Sequence, residues 1–185
     1  MRRLLTLLLS CFLLSGCAGE QSSSPSPALT RYEATFLTLF DTVTVIKGYA
    51  QDEATFQAIA QDIYEGLQEY HQLYDIYHEY PGMVNLKTIN GAAGGSPVLV
   101  EQPVLDLLLF CQEVYTETEG RVNAAMGSVL SLWHEAREAG INDPEQAALP
   151  DQAALEEAAL HTDFSAVVID EDASTVQITD PETQL

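Results

Sequence analysis

Thr118 to Trp133 reads TEGRVNAAMGSVLSLW. A turn at Glu119-Gly120 leads into a short extended piece, Arg121-Val122-Asn123. Two alanines follow, then Gly127 and a helix carrying Val129, Leu130 and the only tryptophan of the chain. A backbone that changes direction at small residues just before a helix can present main-chain N–H groups to an anionic or polar ligand. The same pattern also serves as a plain helix–loop–helix connection inside a core. The helix is expected from about Gly127 to Ala139, with Val129, Leu130 and Trp133 turned inward. Asn142-Asp143-Pro144 breaks it.

Upstream of this stretch, Pro103 opens a helix that runs to about Glu117. Proline suits its first turn, and Val104, Leu107, Leu108, Cys111 and Tyr115 make its inner face. Val98-Leu99-Val100 reads as a short strand. Gly91 to Pro97 is a loose connection, because no GxGxxG or P-loop frame fits its glycines. Met83 to Asn90 is short and mixed. The longest helix is expected over Asp52 to Tyr77, where Phe56, Ile59, Ile63, Leu67, Tyr70, Tyr74 and Tyr77 recur at helical steps as one apolar stripe. Before it, Tyr32 to Phe40 and Thr42 to Tyr49 are rich in Thr, Val, Phe and Ile and read as two strands broken near Phe40-Asp41.

Downstream, Asp151 caps a short helix that reaches Leu160. Ala166 to Asp170 and Thr175 to Ile178 read as a hairpin. Its tip, Asp170-Glu171-Asp172, is a solvated acidic turn rather than a cation site. The expected fold class is α+β, with antiparallel strands packed on helices. The sequence stops at Asp180 to Leu185 with no evident capping element, which leaves a sheet edge open.

A chain of 185 residues with 46% hydrophobic residues has enough apolar material for one domain with a real core. The formal charge of −21 becomes −23 if Arg2 and Arg3 are removed with the leader. Such a surface repels nucleic acid and anionic headgroups, and no basic stripe compensates.

Met1-Arg2-Arg3 and the apolar run Leu4 to Leu14 form the n- and h-regions of a signal peptide, too short to span a bilayer comfortably. Leu14-Ser15-Gly16-Cys17 resembles the lipobox of bacterial lipoproteins. That resemblance implies a signal peptide over 1–16, a diacylglycerol on Cys17, and anchoring on the extracytoplasmic face of the cell membrane. Residues 17–31 would be the lipidated cysteine and a Ser/Pro tether, with folded sequence over 32–185. Of the three cysteines only Cys111 then remains, an inert inward thiol with no disulfide partner.

No metal-ligand spacing links His71, His78, His134 or His161 to a cysteine or acid, and all four read as surface or rim residues. No GxSxG elbow and no Ser–His–acid set occurs. By themselves these residues make no complete catalytic site.

The order of several short motifs nevertheless resembles the ApbE family, the FAD:protein FMN transferases. Phe40-Asp41-Thr42-Val43 stands at the place of the family's Met-Gly-Thr strand entry. Tyr74-Asp75-Ile76-Tyr77 ends the long helix, and Leu86-Lys87-Thr88-Ile89-Asn90 is like its Leu-x-x-(Ile/Phe)-Asn segment. Thr118 to Asn123, with Gly127, Leu130 and Trp133, looks like its T-(D/E)-G-x-hydrophobic-D-x-T-x-G stretch followed by a tryptophan. The resemblance covers Tyr32 to Leu185. It implies FAD as substrate and transfer of FMN, with Mg²⁺, to a Thr or Ser of a target protein. It places Phe40, Tyr77, Arg121, Val122 and Asn123 against FAD. Asn123 stands for the usual Asp, Ala125 for the usual Thr and Phe40 for Met. The family's Asp-Leu-Gly turn and its Mg²⁺ carboxylate come further along than Leu185. The expectation is therefore an N-terminal portion of such a domain, inactive alone. A non-catalytic, lipid-anchored flavin- or nucleotide-binding lipoprotein is the alternative, and an envelope lipoprotein without a ligand is a third reading.

Overall fold

The structure is a computed structural model and describes residues 28–185. The leader, Cys17 and most of the Ser/Pro stretch lie outside the described residues. The chain divides into two units: the described part of Met1–Ala34 with Val45–Ala60, and Thr35–Thr44 with Gln61–Leu185.

Strands β1 (Thr30–Leu39) and β2 (Thr42–Ala50) pair as a two-stranded sheet. Regular structure therefore starts at Thr30, inside the stretch read as tether. Alternation turns Tyr32, Ala34 and Ile46 to one face, where they pack with Ala50, Phe56 and Ala60 as the core of the first unit. The Tyr32 and Phe56 rings stack at 5.5 Å. Only Phe40 and Asp41 connect the strands, and both have positive φ, 54° and 50°. A two-residue loop of that hand matches the right-handed twist of its strands.

Helix α1 spans Glu53–Leu73. Asp52 starts it, its carboxylate accepting the Thr55 N–H at 2.8 Å. The helix stops four residues short of the expected Tyr77, because the Asp75 carboxylate accepts the N–H groups of Tyr77 and His78. A side chain that satisfies its own neighbours' amides competes with helical bonding. The expected stripe also shifts. Ile59, Ile63 and Tyr70 are 50%, 41% and 44% exposed, while Ala60 and Leu73 are buried.

In the second unit, Met83–Asn90 is not irregular but contains helix α2 (Leu86–Gly91). Asn85 and Thr88 form a reciprocal capping box at its start. Strand β3 (Val98–Leu99) leads to helix α3 (Gln102–Glu117), whose buried face is Val104, Leu105 and Leu108. Helix α4 (Gly127–Asn142) has no fully buried residue. Leu130 and Trp133, expected inward, are 58% and 43% exposed. Helix α5 (Gln152–Ala158) begins at Asp151, whose carboxylate accepts the Ala154 N–H at 3.1 Å.

Strands β4 (Val167–Asp170) and β5 (Thr175–Ile178) form the expected hairpin, with Val167 opposite Ile178 and Asp170 opposite Thr175. β3 joins it antiparallel, giving the order β3-β5-β4. Val167, Val176 and Ile178 bury their side chains in the core that also holds Leu86, Ile89 and Leu108. Each such side chain contributes about 1.5–3 kcal/mol on burial. Phe164 fills this core and stacks on Tyr115 at 5.5 Å. Cys111 is half-buried, and burial pushes its thiol pKa up.

Residues 180–185 are not a bare end. Thr183 and Leu185 are buried. The Thr183 hydroxyl donates to the His161 carbonyl at 2.8 Å, and the His161 ring meets the Asp180 carboxylate at 2.8 Å. Asn90 clasps Leu185 from both sides, accepting its N–H at 2.8 Å and donating to its carbonyl at 3.2 Å. The Gly127 N–H donates to the Gln184 carbonyl at 2.9 Å.

Candidate functional site

The loop between α1 and α2 is built around two buried polar side chains. Asp75 is 8% exposed and Asn85 fully buried. One oxygen of Asp75 accepts the Tyr77 N–H at 2.6 Å and the His78 N–H at 3.1 Å. The other lies 3.0 Å from His78 Nδ1 and accepts the Tyr80 hydroxyl at 2.8 Å. Burial alone would raise the Asp75 pKa. The donors from Tyr77, Tyr80 and His78 outweigh it and hold the carboxyl at about 2. The Tyr80 hydroxyl moves the other way, raised first by its bond to Asp75, then by burial. Asn85 ties the loop ends together, its amide donating to the carbonyls of Gln72 at 3.0 Å and His78 at 2.8 Å.

This loop presents Tyr77, half exposed, between two cavities. The first, about 620 Å³, is lined by Phe40, Asp41, His71, Tyr74 and Tyr80 together with the Asp75–Glu79 loop. The β1–β2 turn carries Phe40 into it. The Phe40 N–H donates to His71 Nδ1 at 3.1 Å, and the rings meet edge-on at 5.5 Å. The second cavity, about 510 Å³, shares Ile76 and Tyr77 with the first and is lined by Lys87, Gly127, Leu130, His134, Glu135 and Leu185, among others. Here the His134 ring stacks on Tyr77 at 5.1 Å, 29° from parallel.

Of the five residues placed against FAD, Phe40 and Tyr77 line one cavity. Arg121, Val122 and Asn123 line neither of these two. Arg121 borders a separate cleft with Glu117, Thr118 and Glu119. The polar groups of the segment are largely spent internally. The Arg121 N–H donates to the Thr118 carbonyl at 3.2 Å, and the Val122 N–H to the Thr118 hydroxyl at 3.0 Å. Asn123 caps a 3-10 turn at Ala124–Met126 through the Ala125 N–H at 2.9 Å and donates to the Thr162 carbonyl at 2.7 Å. The Asn123 side chain thus braces the core.

Asp75, Lys87 and His134 were not singled out for roles at this site from sequence. Asp75 carries a local signal, an acid two residues before an aromatic where a helical pattern weakens. Lys87 carries a compositional one, the scarcity of cations. His134 carries its place beside Trp133, near a candidate ligand loop, while its contact with Tyr77 is tertiary.

The first cavity offers aromatic faces and suits a planar ring. Asp41 and Glu79 also line it, so it does not suit phosphate. Among the described residues no group of three or more His, Cys, Asp or Glu could hold a metal ion. Both Asp75 oxygens already accept donors, so the residues present do not make a Mg²⁺ site.

Solved structures share this architecture. The ApbE protein of Thermotoga maritima superposes with a TM-score of 0.67 at 20% identity, over 84% of this chain and 47% of its own. The flavin transferase ApbE of Vibrio cholerae gives 0.67 at 18% identity, over 85% and 48%. The apo flavinyl transferase ApbE of Pseudomonas stutzeri gives 0.64 at 14% identity, over 86% and 49%. The chain spans about half the length of these structures. No curated protein matches the sequence. The motif order, the α+β architecture and a match of the ApbE family model to residues 36–185 agree, and the chain belongs to the ApbE family.

Proposed function

We propose that this chain supplies the ring-binding wall of a flavin transferase, which moves FMN from FAD to a Thr or Ser of a target protein. The observation that carries the reading is the joint placement of Phe40 and Tyr77 on one aromatic cavity, with Tyr77 held by the buried Asp75. Family membership and the flavin transferases of Vibrio cholerae and Pseudomonas stutzeri support the reaction class. In this reading Tyr77 stacks on the ring, Phe40 closes its edge, and the cavity keeps water from the ring faces. A bound metal would supply charge neutralisation at the transferring phosphate. Its ligands are assigned to the part of the family architecture that this chain does not span, so these residues alone are expected to bind flavin without transferring it. Lipidation at Cys17 would hold the protein on the extracytoplasmic face of the cell membrane, near an exported acceptor protein.

Flavin fluorescence titration tests the reading. Tyr77→Ala should weaken FAD binding about tenfold or more, since aromatic stacking on a heterocycle contributes about 1–3 kcal/mol. Unchanged affinity in that variant, or no flavin binding by the wild type, would remove the basis for the site. A second reading, flavin binding without chemistry, draws on Asn123, whose side chain is taken up by the Thr162 carbonyl and the Ala125 N–H. It predicts no covalent flavin on acceptor protein even when the family's remaining half is restored by fusion. The transferase reading predicts covalent flavin in that fusion and none with this chain alone.

A further inference from the structure

Resting on the flavin reading, we infer that Lys87 anchors the phosphates of the nucleotide, so that the ligand lies with its ring in the Phe40 cavity and its phosphates in the second cavity, which shares Tyr77 with the first. Three observations point there. The second unit holds three Lys or Arg side chains, Lys87, Arg121 and Arg137, on a chain of formal charge −21. Arg137 is paired with Glu138 at 3.0 Å, and Arg121 borders a cleft with Glu117 and Glu119. Lys87 alone of the three lines a cavity that includes Tyr77, and among the described residues it makes no ion pair within 4.0 Å.

Asp75 also couples Lys87 to the ring wall. Its carboxylate takes the Tyr77 N–H at 2.6 Å, and its carbonyl takes the Lys87 N–H at 3.0 Å. One buried residue thus fixes the backbones of Tyr77 and Lys87 relative to each other. A planar heterocycle joined by a short linker to phosphate needs that pairing. The opposite orientation would bring phosphate against Asp41 and Glu79. Glu135 shares the second cavity with Lys87 and opposes it, which gives the proposal a control of opposite sign.

The test compares riboflavin, FMN and FAD, which share the ring and differ in phosphate. Binding is measured by fluorescence with the full chain at low and high salt. Lys87→Ala should weaken FMN and FAD about tenfold, as expected for loss of one charge-assisted contact. It should leave riboflavin within about twofold and abolish much of the salt dependence. Lys87→Arg should recover most of the loss, and Glu135→Gln should tighten FAD about twofold while leaving riboflavin unchanged. The inference fails if Lys87→Ala weakens riboflavin as much as FAD, which would mean a structural role. It fails equally if FAD is unaffected, or if the wild type binds riboflavin and FAD alike. If the wild type binds none of the three, the flavin reading itself falls.

Discussion

Asp75 shows how one carboxylate can shape a site through the neighbours it holds. Its side chain is buried and anionic, which is costly unless every lone pair finds a donor. Four donors meet that requirement: two backbone amides, a tyrosine hydroxyl and a histidine ring. Acid stability should report it. The folded pKa of about 2 lies below the ordinary 3.8, so its contribution is fully present above the ordinary value and disappears as pH falls through the folded one. A shift of that size corresponds to about 2–3 kcal/mol. Urea unfolding of the wild type should therefore lose most of that, about 2 kcal/mol, between pH 4 and 2, and most of the rest below pH 2. Asp75→Asn should begin less stable near neutrality and lose less over the same range. Parallel pH curves for the two proteins would sink this account.

At the scale of elements, the β1–β2 turn and the end of α1 bring Phe40 and Tyr77 to one place. The turn does so with two non-glycine residues at positive φ, where L side chains crowd the following carbonyl. Asp tolerates that conformation better than most, and glycine better still. Asp41→Gly should stabilise the chain by about 0.5–1 kcal/mol, the left-handed strain relieved less the added freedom of the unfolded chain. Chemical denaturation reads this directly, and a loss of stability would mean that the Asp41 side chain holds the turn in another way. The helix end is a different matter. Tyr70, Tyr74 and Tyr77 keep helical spacing, so periodicity carries α1 past Leu73. The competing bonds of Asp75 become visible only once the loop is folded around it. α2 escapes pattern reading for a simpler reason: six residues are too few to show a period.

For the second unit as a whole, the segment 180–185 matters as much as the sheet. It threads between the start of α4 and the end of α2, and it puts Leu185 into the wall of the second cavity. Gly127 permits the approach. A Cβ there would lie 2.7 Å from the Gln184 carbonyl oxygen, a backbone atom with little room to yield. Gly127→Ala should cost about 1–3 kcal/mol, the usual price of overpacking. Hydrogen exchange should show the loss concentrated at Leu185, whose N–H is held by Asn90. Uniform exchange, or no loss of stability, would mean that the segment is not docked in solution as described.

The strands, the capped helix starts and the break at Asn142–Pro144 were readable because each rests on neighbours a few positions away: alternation, a capping carboxylate, a proline. Family resemblance was readable too, since it depends on the order of short motifs. Burial on α4 was not. Leu130 and Trp133 have the spacing of an inner face, yet both lie exposed, because what covers a helix is decided by other elements. The site divided along the same line. Tyr77 was legible as an aromatic near a helix end. That Phe40 joins it, that Asn123 is spent on Thr162, and that Lys87 shares a cavity with Tyr77 depend on contacts between residues far apart in the chain. Local chemistry sets the elements of this protein, and only their packing decides which side chains face one another across a cavity.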